Sequence, residues 1–134
     1  MTEADRTTET PKKAKEPSYS ITVEATGDIL ELAIRGRATA ENAAEIRDAV
    51  IDIAKDHQKP LLVDVRGLAG RLSVSQTYYH VRNQPPAPPI HKTAVIDLSE
   101  NAEYDKFHEV TATNAGLMLR YFNTPEEGRA WLRE

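Results

Sequence analysis

The chain of 134 residues has no cysteine, which excludes disulfides, thiolate metal sites and cysteine nucleophiles. It has no apolar run near the roughly 20 residues that a membrane span needs. The N-terminus lacks the charged-then-apolar layout of a secretory signal. A basic excess is missing too: 17 Lys and Arg against 21 Asp and Glu leave a net charge of -4. Nucleic-acid binders draw most of their affinity from basic residues on phosphates, so no nucleic-acid partner is expected. These absences together point to a cytoplasmic protein without a membrane span. No Gly-x-Ser-x-Gly elbow, phosphate-binding glycine loop or dinucleotide fingerprint occurs. The histidines His57, His80, His91 and His108 show no metal-ligand spacing, so no metal or cofactor is expected.

What is present is the stretch from Lys59 to Gly70. Leu61, Leu62, Val63 and Val65 do not alternate with polar residues, which predicts a central strand covered on both faces. Asp64 and Arg66 then fall at its carboxyl end, where open α/β sheets place what they bind. Thr93 to Leu98 is a second nearly continuous apolar run, with Asp97 near its carboxyl end.

The rest of the chain supplies a setting for these strands. Residues 1–18 hold almost no large apolar side chains and read as a disordered tail, leaving 19–134 as one domain. Tyr19, Ile21, Val23 and Ala25 alternate with polar residues, and Leu30, Leu32 and Ile34 alternate with Glu31, Ala33 and Arg35. With Thr26-Gly27-Asp28 between them they predict a β-hairpin. Thr39 is a good N-cap for an amphipathic helix of roughly 18 residues, built on Ala43, Ile46, Val50 and Ile53. Ser73-Val74-Ser75-Gln76 has the form of a capping box. Val74, Tyr78 and Val81 would then share the inner face of a short helix. Pro85 to Pro89 ends that helix as a stiff connection. Ser99 or Asn101 would cap a third helix, facing inward with Tyr104, Phe107, Val110 and Thr111, and Gly116 suits its end. Met118 to Phe122 is a last strand. Thr124-Pro125-Glu126-Glu127 caps a terminal helix that docks Trp131 and Leu132. The order is β-β-α-β-α-β-α-β-α, an α/β fold with one mixed, mostly parallel sheet and about four helices.

Leu62 to Gly67, Thr93 to Asp97, Tyr121-Phe122 and Ala130-Trp131-Leu132 resemble the STAS family, and more narrowly its SpoIIAA-like (STAS/SEC14-type) bacterial members. The resemblance implies a small, non-enzymatic regulatory module. It binds a protein partner, a second copy of the chain among the candidates, or a small apolar or anionic ligand. The sigma-pathway members carry a phosphorylatable serine directly after the central strand. Here Arg66-Gly67-Leu68-Ala69-Gly70 stands there, and serine first appears at Ser73, with Ser75 beyond it. Both are candidates for phosphate at a helix N-terminus, and for Ser73 a plain cap is the favoured reading.

The strip Leu68-Ala69-Gly70-Arg71-Leu72 with Tyr78 and Tyr79 is the candidate recognition surface, since aromatic and Arg side chains anchor interfaces disproportionately. The two leucines folding back over the helix end is the alternative. Asp64 and Asp97 would approach one rim if their strands are neighbours, with Arg66 as charge partner to either. His108 and Tyr104 would line the same rim. A ligand would need a cavity between the second and third helices.

Overall fold

A computed structural model describes residues 18–82 and 92–134. The proline run, His91, the side chain of Val74 and all of the expected tail except Ser18 lie outside the described residues. The elements are β1 (Tyr19–Thr26), β2 (Leu30–Arg37), α1 (Ala43–Lys55), β3 (Leu61–Asp64), β4 (Leu68–Ala69) and α2 (Val74–Arg82). They are followed by β5 (Thr93–Ile96), a 3-10 turn (Ser99–Asn101), α3 (Ala102–Asn114), β6 (Leu119–Phe122) and α4 (Pro125–Leu132). The sheet runs β1-β2-β3-β5-β6; β1 is antiparallel to β2 and every later pair is parallel. This is the expected mixed sheet, with the hairpin at one edge.

Covering both faces explains the unbroken apolar runs. Leu61, Val63, Val65 and Val95 join Leu30, Leu32, Ile34 and Ile46 under α1 on one face. Leu62, Ala94 and Ile96 turn the other way and pack with Leu132 of α4. Strands sandwiched between helices have no polar face to present, so β3 and β5 read as continuous hydrophobic segments. α3 lies on the α1 face, since His108 meets Tyr121, a side chain packed on the first cluster.

Local chemistry sets the helix starts. Thr39 Oγ1 accepts from Asn42 N–H at 3.1 Å, while Asn42 Oδ1 accepts from Thr39 N–H at 2.8 Å. Those residues form a turn, so α1 proper has 13 residues and not roughly 18. Ser73 and Gln76 close a reciprocal box at 2.9 and 3.2 Å. Thr124 accepts from Glu127 N–H at 3.3 Å with Pro125 in the first helical turn.

Four expectations are corrected. The expected order lacks one strand: Leu68 and Ala69 form β4, paired with Gly36 and Arg37 of β2. Gly36 takes φ +113°, and a Cβ there would stand 2.3 Å from Ser18 O, so only glycine lets the strands approach. Val23 and Ala25 are exposed on either side of a bulge near the hairpin tip. The inner faces of α2 and α3 are rotated. Thr77 and Val81 are buried while Tyr78 points outward; Asp105 and Ala112 are buried while Val110 is 49% exposed. The N-cap of α3 is Asn101 and not Ser99, and its side chain makes no cap bond; its Nδ2 donates to Asp97 Oδ1 at 3.0 Å.

Candidate functional site

The carboxyl ends of β3 and β5 lie side by side, with Asp64 in register with Ile96 and Asp97 one residue further on. Side chains alternate along a strand, so this offset of one sends the two carboxylates to opposite faces. The expected shared rim therefore does not form.

On the α4 side, Asp64 closes a local turn. Its Oδ1 accepts from Arg66 N–H at 3.0 Å and Arg66 Nε at 3.0 Å, and Oδ2 accepts from Arg66 Nη2 at 2.8 Å. The Arg66 guanidinium holds the Asp64 carboxyl below the usual carboxylate range, against the opposing effect of burial. Ala33, Ile34, Arg35, Asp64, Arg66 and Gly67 line an open hollow of about 330 Å³ beside this pair.

On the α1 and α3 side, Asp97 is the hub of a buried polar cluster. Its Oδ1 accepts from Arg71 Nη2 at 2.7 Å, Leu98 N–H at 2.7 Å and Asn101 Nδ2 at 3.0 Å; its Oδ2 accepts from Arg71 Nε at 3.3 Å. Burial raises the Asp97 pKa, but hydrogen bonds from Asp105, Arg71, Asn101 and the Leu98 N–H outweigh it and leave Asp97 ionised. Arg71 also donates to the carbonyls of Val65, Leu68 and Gly70 at 3.3, 2.8 and 2.6 Å. Arg71, not Arg66, is thus the partner of Asp97, and it ties the Val65–Gly70 segment to the end of β5.

Asp105 of α3 completes the cluster, and nothing in the sequence pattern singled it out. It is 5% exposed, and its Oδ1 has no hydrogen-bond partner. Burial, then the hydrogen bond to Asp97 and its charge, push Asp105 up to about 8. One acid in a helix of mixed polarity carries no flag; a buried stripe of Asp105 and Ala112 at seven-residue spacing is the trace it leaves. His108 Nδ1 lies 2.7 Å from the Tyr121 hydroxyl, and burial lowers its pKa to about 4. His108 is therefore neutral near pH 7. It stacks at 5.8 Å against Tyr104, close to the Asp97 cluster and far from Asp64's face.

The recognition strip divides in two. Leu68 packs on the core and so folds back, while Arg71 and Leu72 are half-buried. Tyr78 and Tyr79 are 45% and 63% exposed, edge to face at 5.5 Å, with the Arg82 guanidinium 5.7 Å from the Tyr78 ring. Ser73 spends its hydroxyl on the cap, and Ser75 is exposed on the first turn. The space between α2 and α3 holds Thr77, Val81, Tyr104, Asp105 and His108, and the hollow described above lies on the opposite face of the sheet. Among the described residues no three His, Asp or Glu side chains gather to hold a metal, and no helix is long and apolar enough to cross a membrane.

No protein-family model matches the chain, and no curated protein matches it. Solved structures do. An anti-sigma factor antagonist from Mycobacterium paratuberculosis is similar at TM-score 0.57 and 14% identity, over 87% of this chain and 96% of that one. An uncharacterised DUF3478-family protein with a SpoIIAA-like fold, from Shewanella loihica PV-4, is similar at TM-score 0.53 and 18% identity. That likeness covers 86% of this chain and 94% of the other. At such identities the likeness is one of fold, and the fold is STAS-type and SpoIIAA-like.

Proposed function

We propose that the chain is a non-enzymatic regulatory module that recognises a protein through the segment after β3, with the outer face of α2 as its contact surface. The observation that carries this is the exposed Tyr78–Tyr79 pair beside Arg82. Rigid aromatics and arginine are what interfaces concentrate at their centres. The outward residues Ser75, Gln76, Tyr78, Tyr79 and Arg82 include no carboxylate. The matching partner surface is an apolar groove with an acidic border. A second copy of this chain offers such an acidic border, because Glu45, Asp48 and Asp52 are exposed along α1 and Glu41 just before it. A phosphate at Ser75, or at Ser73 with loss of the cap, would repel such a partner.

A test starts by capturing binding proteins with the full chain and measuring the affinity of a purified one. Tyr78→Ala with Tyr79→Ala should weaken it at least ~30-fold, the equivalent of about 2 kcal/mol. Equal binding by wild type and the double variant refutes the surface.

A small anionic ligand is the second reading, favoured by the hollow of about 330 Å³ with Arg35 and Arg66 on its wall. Its polar lining suits an anion better than an apolar molecule. Inorganic phosphate should then shift the Arg35 and Arg66 side-chain NMR signals and leave α2 unmoved.

A further inference from the structure

Four hydrogen bonds from three residues converge on the Asp97 carboxylate: two from Arg71 and one each from Leu98 N–H and Asn101. The carboxyl group of Asp105 hydrogen-bonds to it as well, while Asp105 Oδ1 accepts from no donor. Two carboxylates cannot hydrogen-bond to each other without a proton between them. Since the external donors go to Asp97, Asp97 is the ionised member and Asp105 the neutral acid that donates. The two carboxyl groups can stay paired only while that proton is present.

We propose that the proton held between Asp97 and Asp105 latches the Leu68–Ser73 segment to α3, and that its loss releases the segment leading into α2. The regulatory meaning of the latch rests on the recognition surface proposed for α2, but its mechanics do not. Arg71 is the mechanical link, because the guanidinium bound to Asp97 also holds the carbonyls of Val65, Leu68 and Gly70. If Asp105 ionises, two negative charges meet in a dry site and compete for one guanidinium. Either α3 moves away or Arg71 leaves its carbonyls.

The groups facing Asp105 set the direction. Asp97 at the end of β5 and Glu109 on α3 oppose its ionisation, and Arg71 in the loop favours it. Tyr121 of β6 and Tyr104 of α3 are neutral neighbours whose own ionisation the site disfavours. From α2, Thr77 brings an uncharged hydroxyl near Tyr104, and His80 acts on His108. Burial with two acids outweighs one cation, and Asp105 keeps its proton up to about pH 8. An unfolded Asp loses it near the ordinary 3.8. The folded state's relative stability is therefore full below that value and falls as pH rises toward 8, by up to about tenfold in the folding constant per pH unit.

The experiment is carbon-13 NMR of side-chain carboxyl carbons in the free, full chain from pH 4 to 9.5, with the Arg71 Nε and the Leu68 and Leu72 methyl signals followed in parallel. The expected result is an Asp105 carboxyl that titrates near pH 8, with the Arg71 and leucine signals moving in step. Asp105→Asn keeps a donor toward Asp97 without a proton to lose. It should hold those signals constant and flatten the pH dependence of folding between about 4 and 8. Titration of Asp105 in the ordinary carboxylate range overturns the proposal, as does a high titration that leaves Arg71 and the leucines unmoved. The wild-type titration, assigned through the Asp105 β-protons, decides the matter even if the variant does not fold. No partner is present, so failure here leaves the docking surface standing, and failure of docking leaves the latch standing.

Discussion

Arg71→Ala separates a structural clamp from an exposed anchor. The guanidinium makes two hydrogen bonds to a carboxylate that is 0% exposed and three to backbone carbonyls. Removing one partner of a buried ion pair costs about 3–5 kcal/mol, because the other charge stays buried without it. Two effects put this case at the lower end. Asp97 keeps Leu98 N–H, Asn101 and the Asp105 proton, and Gly70 O sits where water reaches it. The expected loss is about 3 kcal/mol, set against a total of ~5–15 kcal/mol for a domain of this kind. Arg71→Lys keeps a charge but loses the fork that spans carboxylate and carbonyls, so it should fall between alanine and wild type. Urea unfolding followed by Trp131 fluorescence measures both, because Trp131 packs under α4 on the far face and reports global unfolding. A loss below about 1 kcal/mol, the value of a surface pair, would refute the clamp and return Arg71 to the docking surface. In the same assay Tyr78→Ala and Tyr79→Ala should stay within about 0.5 kcal/mol of wild type.

Two further outcomes follow from packing and titration. Gly128 faces the sheet from α4, and a Cβ there would lie 2.8 Å from Ile96 Cδ1 and 3.3 Å from Ala94 Cβ. Gly128→Ala gains about 1 kcal/mol of helix propensity against about 1–3 kcal/mol of overpacking, so a net loss is expected, larger for valine; a stabilised alanine variant in urea unfolding would contradict it. His108, lowered to about 4 by burial, stays neutral in the folded chain while an unfolded histidine protonates near 6.5. The unfolded state then binds the extra proton, so folding stability should fall as pH drops from 6.5 toward 4, and His108→Gln should reduce that slope in urea titrations at stepped pH.

The architecture was legible because it is written in runs and caps. Leu61 to Val63 and Ala94 to Ile96 carry no polar residue, and only a doubly covered strand accounts for that. The boxes at Ser73–Gln76 and Thr124–Glu127 state their geometry in residue identity alone. The helix faces were harder. Tyr78 was expected inward because a large ring belongs with apolar residues, yet Thr77 holds the buried position. Val110 yielded its inner place to Asp105 and Ala112 in the same way. A polar cluster under two helices reverses the rule that apolar side chains mark the inner stripe. The pattern of a single helix cannot reveal what stands opposite it.

The fate of the two aspartates shows how small a step decides chemistry. β3 and β5 are neighbours, are parallel and both close with an acid, as the sequence suggests. Had Asp97 stood level with Asp64, the two carboxylates would share a face, and one would need a raised pKa beside the other, the arrangement acid–base catalysis exploits. The register instead pairs Asp64 with Ile96. One residue of offset gives each acid its own arginine on its own side of the sheet, Arg66 for Asp64 and Arg71 for Asp97. The carboxyl pair that does form joins Asp97 to Asp105, where buried side chains leave its proton to act on the fold: it determines whether the segment entering α2 is held against α3.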